Sequence, residues 1–342
     1  MASIAQLDSD SAELKKRIER FQSVRDNILA QVRQVIVGQE EVLDQILISL
    51  FVGGHCLITG LPGTAKTLMV RTIAQTLGLV FKRIQFTPDL MPSDITGTDI
   101  IEEDPTTGHR RWTFVPGPIF GNIVLADEIN RTPPKTQSAL LEAMQEQSCT
   151  VRGNHYKLPA PFFVLATQNP IELEGTYALP EAQLDRFLFN TVLDYLSAAD
   201  ELKVVDLTTA THVAQVETVT SAEEILDFQT LVRMVPIGES LANYVVELVR
   251  ATRHNSGSAP DFIKKYVNYG ASVRAAQFIV LSAKARALAH HRYHVAYEDI
   301  TALATPVLRH RILLNFHAES DRIDSDEILR RLLEHMPPTA KG

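Results

Sequence analysis

The segment CLITGLPGTAKT, residues 56–67, decides the fold of this chain. Its apolar start has the composition of a buried strand, a turn rich in glycine and proline follows, and Lys66 and Thr67 begin a predicted helix. Backbone N–H groups at a helix N-terminus lack partners within the helix and lie at the positive end of its dipole, so they bind phosphates. The segment therefore predicts a phosphate-binding loop, with Lys66 on the β- and γ-phosphates and Thr67 as a ligand of Mg²⁺.

One residue of this loop departs from the usual pattern G-x-x-x-x-G-K-[ST], because Ala65 stands in the place of the second glycine. We expect its methyl group to be tolerated if Ala65 has right-handed helical dihedral angles, since only the left-handed conformation strictly requires glycine. Taken alone, the segment leaves open a second interpretation, a strand, turn and helix with an incidental lysine.

The segment NIVLADEIN, residues 122–130, is an apolar stretch that ends in two acidic residues, Asp127 and Glu128. In a phosphate-loop ATPase such a strand places Asp127 beside Thr67, where it orients Mg²⁺ or its waters. Glu128 is then free to polarise a water molecule for attack on the γ-phosphate. Many apolar strands end in acidic residues, but the two motifs together favour nucleotide binding over coincidence.

Three further polar residues stand at the ends or starts of predicted elements. Asn169 ends the apolar strand FFVLATQNP, residues 162–170, and its amide can hold an attacking water through its donor or its acceptor. Arg186 stands at the entry to the last predicted strand, where it is either a solvated surface charge or a group that reaches a neighbouring subunit's nucleotide. Arg274 lies in the first turn of a predicted helix, an unfavourable place for a cation unless it faces an anion.

The composition is that of a soluble globular protein with room for two domains, since 45% of the 342 residues are hydrophobic and 22% are charged. The formal net charge of -8 argues against a protein whose main task is to coat nucleic acid. Cys56 and Cys149 suggest neither a disulfide framework nor a metal site, and we expect reduced core residues. Without a membrane-spanning apolar run or a secretory signal, a cytoplasmic location is expected.

The residue pattern divides the chain into three parts. Residues 1–36 are predicted to form an amphipathic N-terminal helix that packs on its own domain, with partner binding as the alternative. Residues 37–197 are predicted to form an α/β nucleotide-binding core, and residues 198–342 to form helices alone. Within the core, residues 87–121 are a long irregular insertion, a kind of segment that is more often functional than idle. Residues 148–158 are predicted to form a β-hairpin.

Five separated segments occur in the same order as in a known family: GLPGTAKT, VLADEINR, ATQNP, EGTYALPEAQLDRF and GASVR. Together they resemble the MoxR family of AAA+ ATPases, in which an alanine at the position of Ala65 is usual. The resemblance implies an α/β fold, the αβα core of a P-loop NTPase with a five-stranded parallel sheet, followed by an all-α lid domain. The insertion resembles the helix-2 insert of this clade, and the hairpin resembles its pre-sensor-1 hairpin.

The resemblance also implies a role for each candidate site residue. Asn169 corresponds to sensor 1, Arg186 to the arginine finger and Arg274 to sensor 2, and Glu128 is the implied base. ATP and Mg²⁺ are the implied cofactors, with Thr67 and Asp127 nearest to the metal. The implied nucleotide-binding residues are Gly38 and Gln39 near adenine, the Walker A residues Gly60, Pro62, Gly63, Thr64, Ala65, Lys66, Thr67 and Leu68, and the Walker B residue Asp127.

An arginine that a neighbouring protomer supplies would make hydrolysis conditional on assembly. We therefore expect a homo-oligomeric ring, a hexamer, with each nucleotide between two subunits. For Arg274 the sequence leaves open whether it acts on the nucleotide of its own subunit or on that of a neighbour.

Three functions remain in competition on the sequence alone. The first is a chaperone-like ATPase that remodels or matures a client protein, and family resemblance adds metal-cofactor insertion and a partner with a von Willebrand factor A domain. The second is a nucleic-acid motor, for which the hairpin offers only three basic side chains, Arg152, His155 and Lys157, a weak signal. The third is a scaffold that binds nucleotide without hydrolysis, and Glu128 argues against it.

Overall fold

A computed structural model describes residues 4–103, 109–169, 175–209 and 215–337, with side chains from Ala12 onward. The strands are β1 (Cys56–Gly60), β2 (Phe81–Gln85), β3 (Gly97–Glu103), β4 (Arg110–Pro116), β5 (Ile123–Asp127), β6 (Ser148–Val151), β7 (Asn154–Lys157), β8 (Phe163–Gln168), β9 (Phe189–Leu193), β10 (Val267–Tyr269) and β11 (Leu313–Leu314). The helices are α1 (Ile4–Val32), α2 (Glu40–Val52), α3 (Lys66–Thr76), α4 (Pro92–Thr96), α5 (Pro134–Glu146), α6 (Glu181–Leu184), α7 (Ala198–Thr209), α8 (Ala222–Met234), α9 (Glu239–Ala251), α10 (Asp261–Tyr266), α11 (Val273–Ala289), α12 (Tyr297–Leu308), α13 (Phe316–Ser320) and α14 (Ser325–His335).

The central sheet has five parallel strands in the order β2-β5-β8-β1-β9, which confirms the predicted core. Strands β5, β8 and β1 lie inside the sheet and are buried along most of their length. Continuous apolar runs are typical of parallel strands that are covered on both faces. Since parallel strands all end at the same edge, the phosphate loop after β1 and the acidic residues after β5 lie along one carboxyl edge.

Helix α1 packs across both parts of the molecule. The Phe21 ring lies 4.8 Å from that of Phe51 on α2 and 5.2 Å from that of Phe228 on α8, centroid to centroid. Edge-to-face aromatic contacts of this kind add about 0.5–1.5 kcal/mol each to the gain from apolar burial. Arg17 and Arg20 also pair with acidic residues of α8, each at 2.6 Å. From Ala12 onward, the apolar face of this helix is therefore covered within its own chain.

The insertion and the predicted hairpin pack against each other. Strands β3 and β4 form an antiparallel ladder inside the insertion, while β6 and β7 form the hairpin that the sequence predicts. The Phe114 ring stacks on that of Tyr156, with centroids 3.9 Å apart, and the Arg152 guanidinium lies 4.3 Å from the centre of the Trp112 ring. The two inserted elements therefore form one joint projection from the core.

The expectation of helices alone after residue 197 is wrong in one detail. Strands β10 and β11 form a small antiparallel ladder between helices. Their three and two residues are too few to produce a recognisable alternation in the sequence. Helices otherwise make up this part of the described chain, and none of the described helices is both long and apolar enough to cross a membrane.

Candidate active site

The phosphate loop connects β1 to α3 in a conformation that leaves its backbone N–H groups at the helix start. Gly63 has φ 82°, which favours glycine, and a Cβ on Gly60 would lie 2.6 Å from the carbonyl oxygen of Leu193. Thr64 Oγ1 donates to Leu61 O at 2.8 Å, and Lys66 Nζ donates to Gly60 O. Burial lowers the pKa of Lys66, while Asp127 and Glu128 raise it, so this ammonium lies near both carboxylates.

Ala65 does not have the right-handed helical dihedral angles under which its methyl group was expected to be tolerated. Its φ and ψ are 58° and 23°, in the left-handed region, where it caps the N-terminus of α3. For residues with a Cβ this conformation costs about 1–2 kcal/mol relative to right-handed angles. The turn of the loop requires these angles, so Ala65 adopts them despite the strain. Strained residues of this kind cluster at functional sites.

Asp127 ends β5 with both carboxylate oxygens engaged. Thr167 Oγ1, from the neighbouring strand β8, donates to Asp127 Oδ1 at 2.7 Å. Arg83, from β2 on the other side, donates to Oδ2 through Nη2 at 2.6 Å and Nε at 3.1 Å. The acidic side chain is therefore held in a fixed direction at the carboxyl edge of the sheet.

Glu128 stands next to this pair in a left-handed backbone conformation, with φ 57° and ψ 50°. Its backbone N–H donates to Thr167 Oγ1 at 2.8 Å. Its carboxylate oxygen Oε2 accepts from Gln85 Nε2 at 3.0 Å and pairs with Arg131 Nε at 3.1 Å. Side chains from β2, from β8 and from Arg131, in the turn after β5, thus fix the orientation of the candidate base.

Asn169 follows β8 at the same carboxyl edge and is buried. Gln168 lies opposite Thr59 of β1, so Asn169 follows directly beyond the register that leads into the phosphate loop. The predicted sensor residue therefore lies at the edge where Lys66 and Asp127 also stand. Pro170 and the start of the segment EGTYALPEAQLDRF fall outside the described residues.

A cavity of about 430 Å³ adjoins the phosphate loop. Its walls include Val37, Gln39, Gly63, Leu196 and Val204, so apolar side chains from before α2 and from α7 face the glycine of the loop. Gln39 donates from Nε2 to Asp194 O at 2.8 Å, which joins the segment before α2 to the end of β9. An apolar slot beside a phosphate loop fits a nucleobase.

Gly38 allows that close approach. Its φ is 67°, and a Cβ there would lie 3.0 Å from Leu196 Cδ2. Leu68, by contrast, is 42% exposed on the first turn of α3 and lines the same cavity. Leu68 therefore lines the cavity, and Gly38 lies against Leu196, which lines it too.

The residues at this edge fit Mg²⁺ in its usual nucleotide-bound form. No group of three or more His, Cys, Asp or Glu side chains among the described residues could hold a metal alone. Mg²⁺ commonly keeps several waters and is held by one or two protein oxygens together with substrate phosphates. Thr67 lies in the first turn of α3 and Asp127 ends β5, so a hydroxyl and a carboxylate are available there.

Arg186 and Arg274 lie away from the phosphate loop. Arg186 precedes β9, whose Phe189 pairs with Cys56 at the start of β1, so it lies at the amino edge of the sheet. Since a five-residue strand spans about 16 Å, the sheet separates Arg186 from the loop after Gly60. Both arginines line a cavity of about 250 Å³ with Gly54 and His55, which shares no residue with the cavity at the phosphate loop.

Comparison with known proteins identifies the family and the fold. Residues 55–189 match the family described as "ATPase family associated with various cellular activities (AAA)", and residues 262–332 match the AAA lid domain. The chain is 40% identical to the chaperone MoxR1 of Mycobacterium tuberculosis over 90% of this chain and 81% of that protein. The chain belongs to the MoxR family of AAA+ ATPases.

Two further relatives extend the MoxR comparison. YeaC of Bacillus subtilis, an uncharacterised protein, is 45% identical over 88% of this chain and 91% of its own length. The crystal structure of a candidate ATPase from Cytophaga hutchinsonii, 42% identical, superposes with a TM-score of 0.89 and covers 97% of this chain and 99% of that one. The AAA+ core and helical lid are thus shared over nearly the full chain.

Sequence reasoning missed several residues that build the site. Arg83, Gln85 and Thr167 hold the acidic pair. Arg83 and Gln85 belong to no motif identified in the sequence, and Thr167 lies within ATQNP, where only Asn169 was given a role. One signal was present, because Arg83 and Gln85 flank the buried Ile84 and therefore share one face of β2.

Two of the basic residues of the hairpin already contact other side chains of the protein. Arg152 contacts the Trp112 ring and lies 3.9 Å from Asp99 Oδ2, and His155 Nδ1 is 3.0 Å from Thr150 Oγ1. A side chain already paired with an aromatic ring and a carboxylate is less suited to a phosphate backbone. This geometry weakens the interpretation as a nucleic-acid motor.

Proposed function

We propose that this MoxR protein hydrolyses Mg²⁺·ATP at sites shared between neighbouring subunits of a homo-oligomeric ring, a hexamer. One observation carries the proposal. The phosphate loop and the acidic pair stand at the carboxyl edge of the sheet, and Arg186 and Arg274 stand at the amino edge. Because neither arginine faces the loop of its own chain, a second copy must supply both.

Each residue then has a distinct task. Lys66 and the loop N–H groups bind the β- and γ-phosphates, and the lining of the 430 Å³ cavity binds the adenine. Mg²⁺, held near Thr67 and Asp127, would neutralise phosphate charge. Glu128 accepts the proton of the attacking water, which Asn169 orients.

Arginines from the next subunit complete the site by stabilising the charge that develops on the γ-phosphate. Both Arg186 and Arg274 are proposed to act in this way, since they line one cavity. Hydrolysis then depends on assembly, and the arginines of a subunit serve its neighbour's nucleotide rather than its own.

The test of hydrolysis is a Glu128→Gln protein. It should bind ATP as the parent does and lose about 10²–10⁴ of the turnover rate, the usual contribution of a general base. A Glu247→Gln protein, in which an exposed carboxylate of α9 changes in the same way, is the matched control. Turnover at the parental rate in the Glu128→Gln protein would exclude Glu128 as the base.

The test of the shared site is an Arg186→Ala protein. It should assemble as the parent does and lose about 10³-fold in turnover, the lower range for arginine fingers. Normal assembly with full ATPase activity would contradict the proposal.

The work done by hydrolysis is proposed to be chaperone-like remodelling or maturation of a client in the cytoplasm. A relative named a chaperone supports this proposal. The family resemblance adds a partner with a von Willebrand factor A domain and a role in metal-cofactor insertion. Affinity purification of the Glu128→Gln protein with ATP should retain such a partner, and purification without ATP should release it. Equal retention in both conditions would argue against an ATP-driven cycle.

A further inference from the structure

The carboxylate of Asp185 lies where the segment that carries Arg186 meets the lid. Arg311, which follows α12, donates from Nε to Asp185 Oδ1 at 2.8 Å. Ser272, the N-cap of α11, donates from Oγ to Oδ2 at 3.2 Å. Arg274 Nη1 lies 3.5 Å from the same Oδ2. One acidic side chain thus contacts three lid residues and directly precedes Arg186 in the chain.

Arg311 is almost completely enclosed, with 1% of its side chain exposed. Its guanidinium donates to backbone carbonyls on both sides of Arg186, to Asp185 O at 2.9 Å and to Leu188 O at 3.3 Å, and also to Phe187 O. It lies 5.0 Å from the centre of the Phe278 ring of α11. A planar group with five donors is suited to bind a curved backbone segment in this way.

The burial of this charge gives the contact its strength. Desolvation lowers the pKa of Arg311 to about 10, while the hydrogen bond and the charge of Asp185 oppose the shift, so the guanidinium remains cationic at neutral pH. Breaking a buried ion pair leaves an unpaired charge in a low-dielectric interior, which is strongly unfavourable. The segment 185–188 and the lid are therefore joined firmly.

The side chain of Arg186 is held less firmly than that of Arg311. Its Nη1 donates to Leu141 O of α5 at 2.7 Å, and its side chain lines the same cavity as Arg274. The position of its backbone is set by the neighbours on either side, both of which Arg311 contacts. A shift of the lid would therefore move Arg186 and Arg274 together.

We propose that Asp185 is a positioning residue, which holds Arg186 and Arg274 in a fixed mutual arrangement so that both reach the neighbouring subunit's nucleotide as one rigid unit. This inference rests on the proposed function, since it assumes that the two arginines act across the subunit interface. Asp185 then acts only through the arginines and does not touch the nucleotide.

The first test is the Asp185→Asn protein, which keeps the shape of the side chain and removes its charge. Its kcat should fall about 100-fold, the effect of a small misplacement of catalytic groups, while its KM for ATP stays within about twofold. The matched control is Glu181→Gln, which replaces an exposed carboxylate on α6 with a carboxamide. Its kcat and KM should equal those of the parent. An unchanged kcat, or a raised KM with the parental kcat, would overturn the positioning role.

The second test mixes subunits, because a defect in the arginines and a defect in Glu128 lie in different halves of the shared site. In a random equal mixture of Asp185→Asn and Glu128→Gln subunits, roughly one interface in four combines two intact halves. The mixture should therefore recover about a quarter of the parental ATPase rate, well above either variant alone. A protein weakened only in its fold would show no such recovery.

An Arg186→Ala and Glu128→Gln mixture separates this inference from the proposed function. If that mixture recovers activity and the Asp185→Asn mixture does not, Asp185 has no positioning role and the shared site stands. If neither mixture recovers, the shared site and the inference are both wrong.

The milder variant Ser272→Ala guards against an Asp185→Asn protein that does not fold. It removes one exposed donor to Asp185 and leaves the buried Arg311 pair intact. Its kcat should fall about threefold to tenfold at an unchanged KM, as expected for a smaller loss of orientation. A parental kcat in this protein, together with an unfolded Asp185→Asn protein, would count against the inference.

Discussion

The two edges of the central sheet hold their positive charges in opposite ways. At the carboxyl edge, Lys66 is half-buried beside the cavity at the phosphate loop, and its ammonium donates to Gly60 O of its own loop. At the amino edge, Arg311 is enclosed and bound to a carboxylate and to several backbone carbonyls. The first charge is arranged for a ligand that arrives from outside, whereas the second is satisfied within the chain.

This difference separates function from stability. A cation that awaits a ligand contributes little to folding, because burial without full pairing is unfavourable. A cation that is fully paired in the interior supports the fold, because its removal leaves unpaired acceptors behind. Substitutions at the two edges should therefore affect different measurements.

The largest expected difference between the two edges is in the free energy of unfolding, when the charge of Arg311 or that of Lys66 is removed. Arg311→Met should lower the free energy of unfolding by about 3–5 kcal/mol, since it removes the enclosed partner of Asp185 and leaves the backbone carbonyls of residues 185, 187 and 188 without this donor. Lys66→Met should change that free energy by less than about 1 kcal/mol, because its half-buried ammonium forms no ion pair with a carboxylate in the part of the chain that the structure describes. Urea unfolding of both proteins beside the parent measures the difference. An equal loss of unfolding free energy in the two proteins would contradict the difference between the edges.

Acid should weaken the amino edge. His55 is buried there, accepting from Val164 N–H at 3.1 Å through Nδ1 and donating from Nε2 to Met144 O at 3.2 Å. Burial lowers the pKa of His55 to about 4 and holds that of His310 well below its usual value. The two imidazoles bind protons more tightly in the unfolded chain than in the folded one. The free energy of unfolding is therefore highest above about pH 6.5 and falls as the pH drops towards 4.

The expected loss from His55 alone is about 3 kcal/mol at pH 4. Thermal unfolding at a series of pH values measures the parent, and a His55→Gln protein, which keeps one donor and one acceptor, is the control. The slope between pH 6.5 and 4 should be shallower in this variant. Identical slopes would show that His55 is not the group that titrates.

The smallest expected effect lies in the phosphate loop. Ala65→Gly relieves the left-handed strain of about 1–2 kcal/mol and adds unfolded-state entropy that offsets about 0.4–1 kcal/mol of it. The free energy of unfolding should therefore rise by about 0.5–1 kcal/mol. Chemical denaturation detects such a gain, and a decrease would mean that the methyl group of Ala65 makes contacts that outweigh the strain.

Local motifs account for most of what the sequence predicted. The phosphate loop, the strand that ends in Asp127 and the hairpin at 148–158 each depend on neighbours in the chain, and the structure has all three. Arg83 with Asp127 and Arg311 with Asp185 were missed, because each pair joins residues far apart in sequence. Long-range pairs follow from topology, which a single sequence indicates only through its motifs.

Two local expectations also failed for physical reasons. Ala65 is left-handed because the loop geometry overrides the preference of the residue. The insertion contains an antiparallel ladder, although its many Pro, Gly, Asp and Thr residues obscure the alternation of β3 and β4.

The central claim, that each chain binds ATP with one edge and serves its neighbour with the other, is tested most directly by the dissociation constant for ATP. A fluorescent ATP analogue should bind Lys66→Met at least about 100-fold more weakly than the parent, since a direct phosphate contact is lost. It should bind Arg186→Ala within about threefold of the parent, although that protein fails to hydrolyse ATP. If Arg186→Ala loses binding as severely as Lys66→Met, then Arg186 belongs to the nucleotide site of its own chain, and the two-edge arrangement is contradicted.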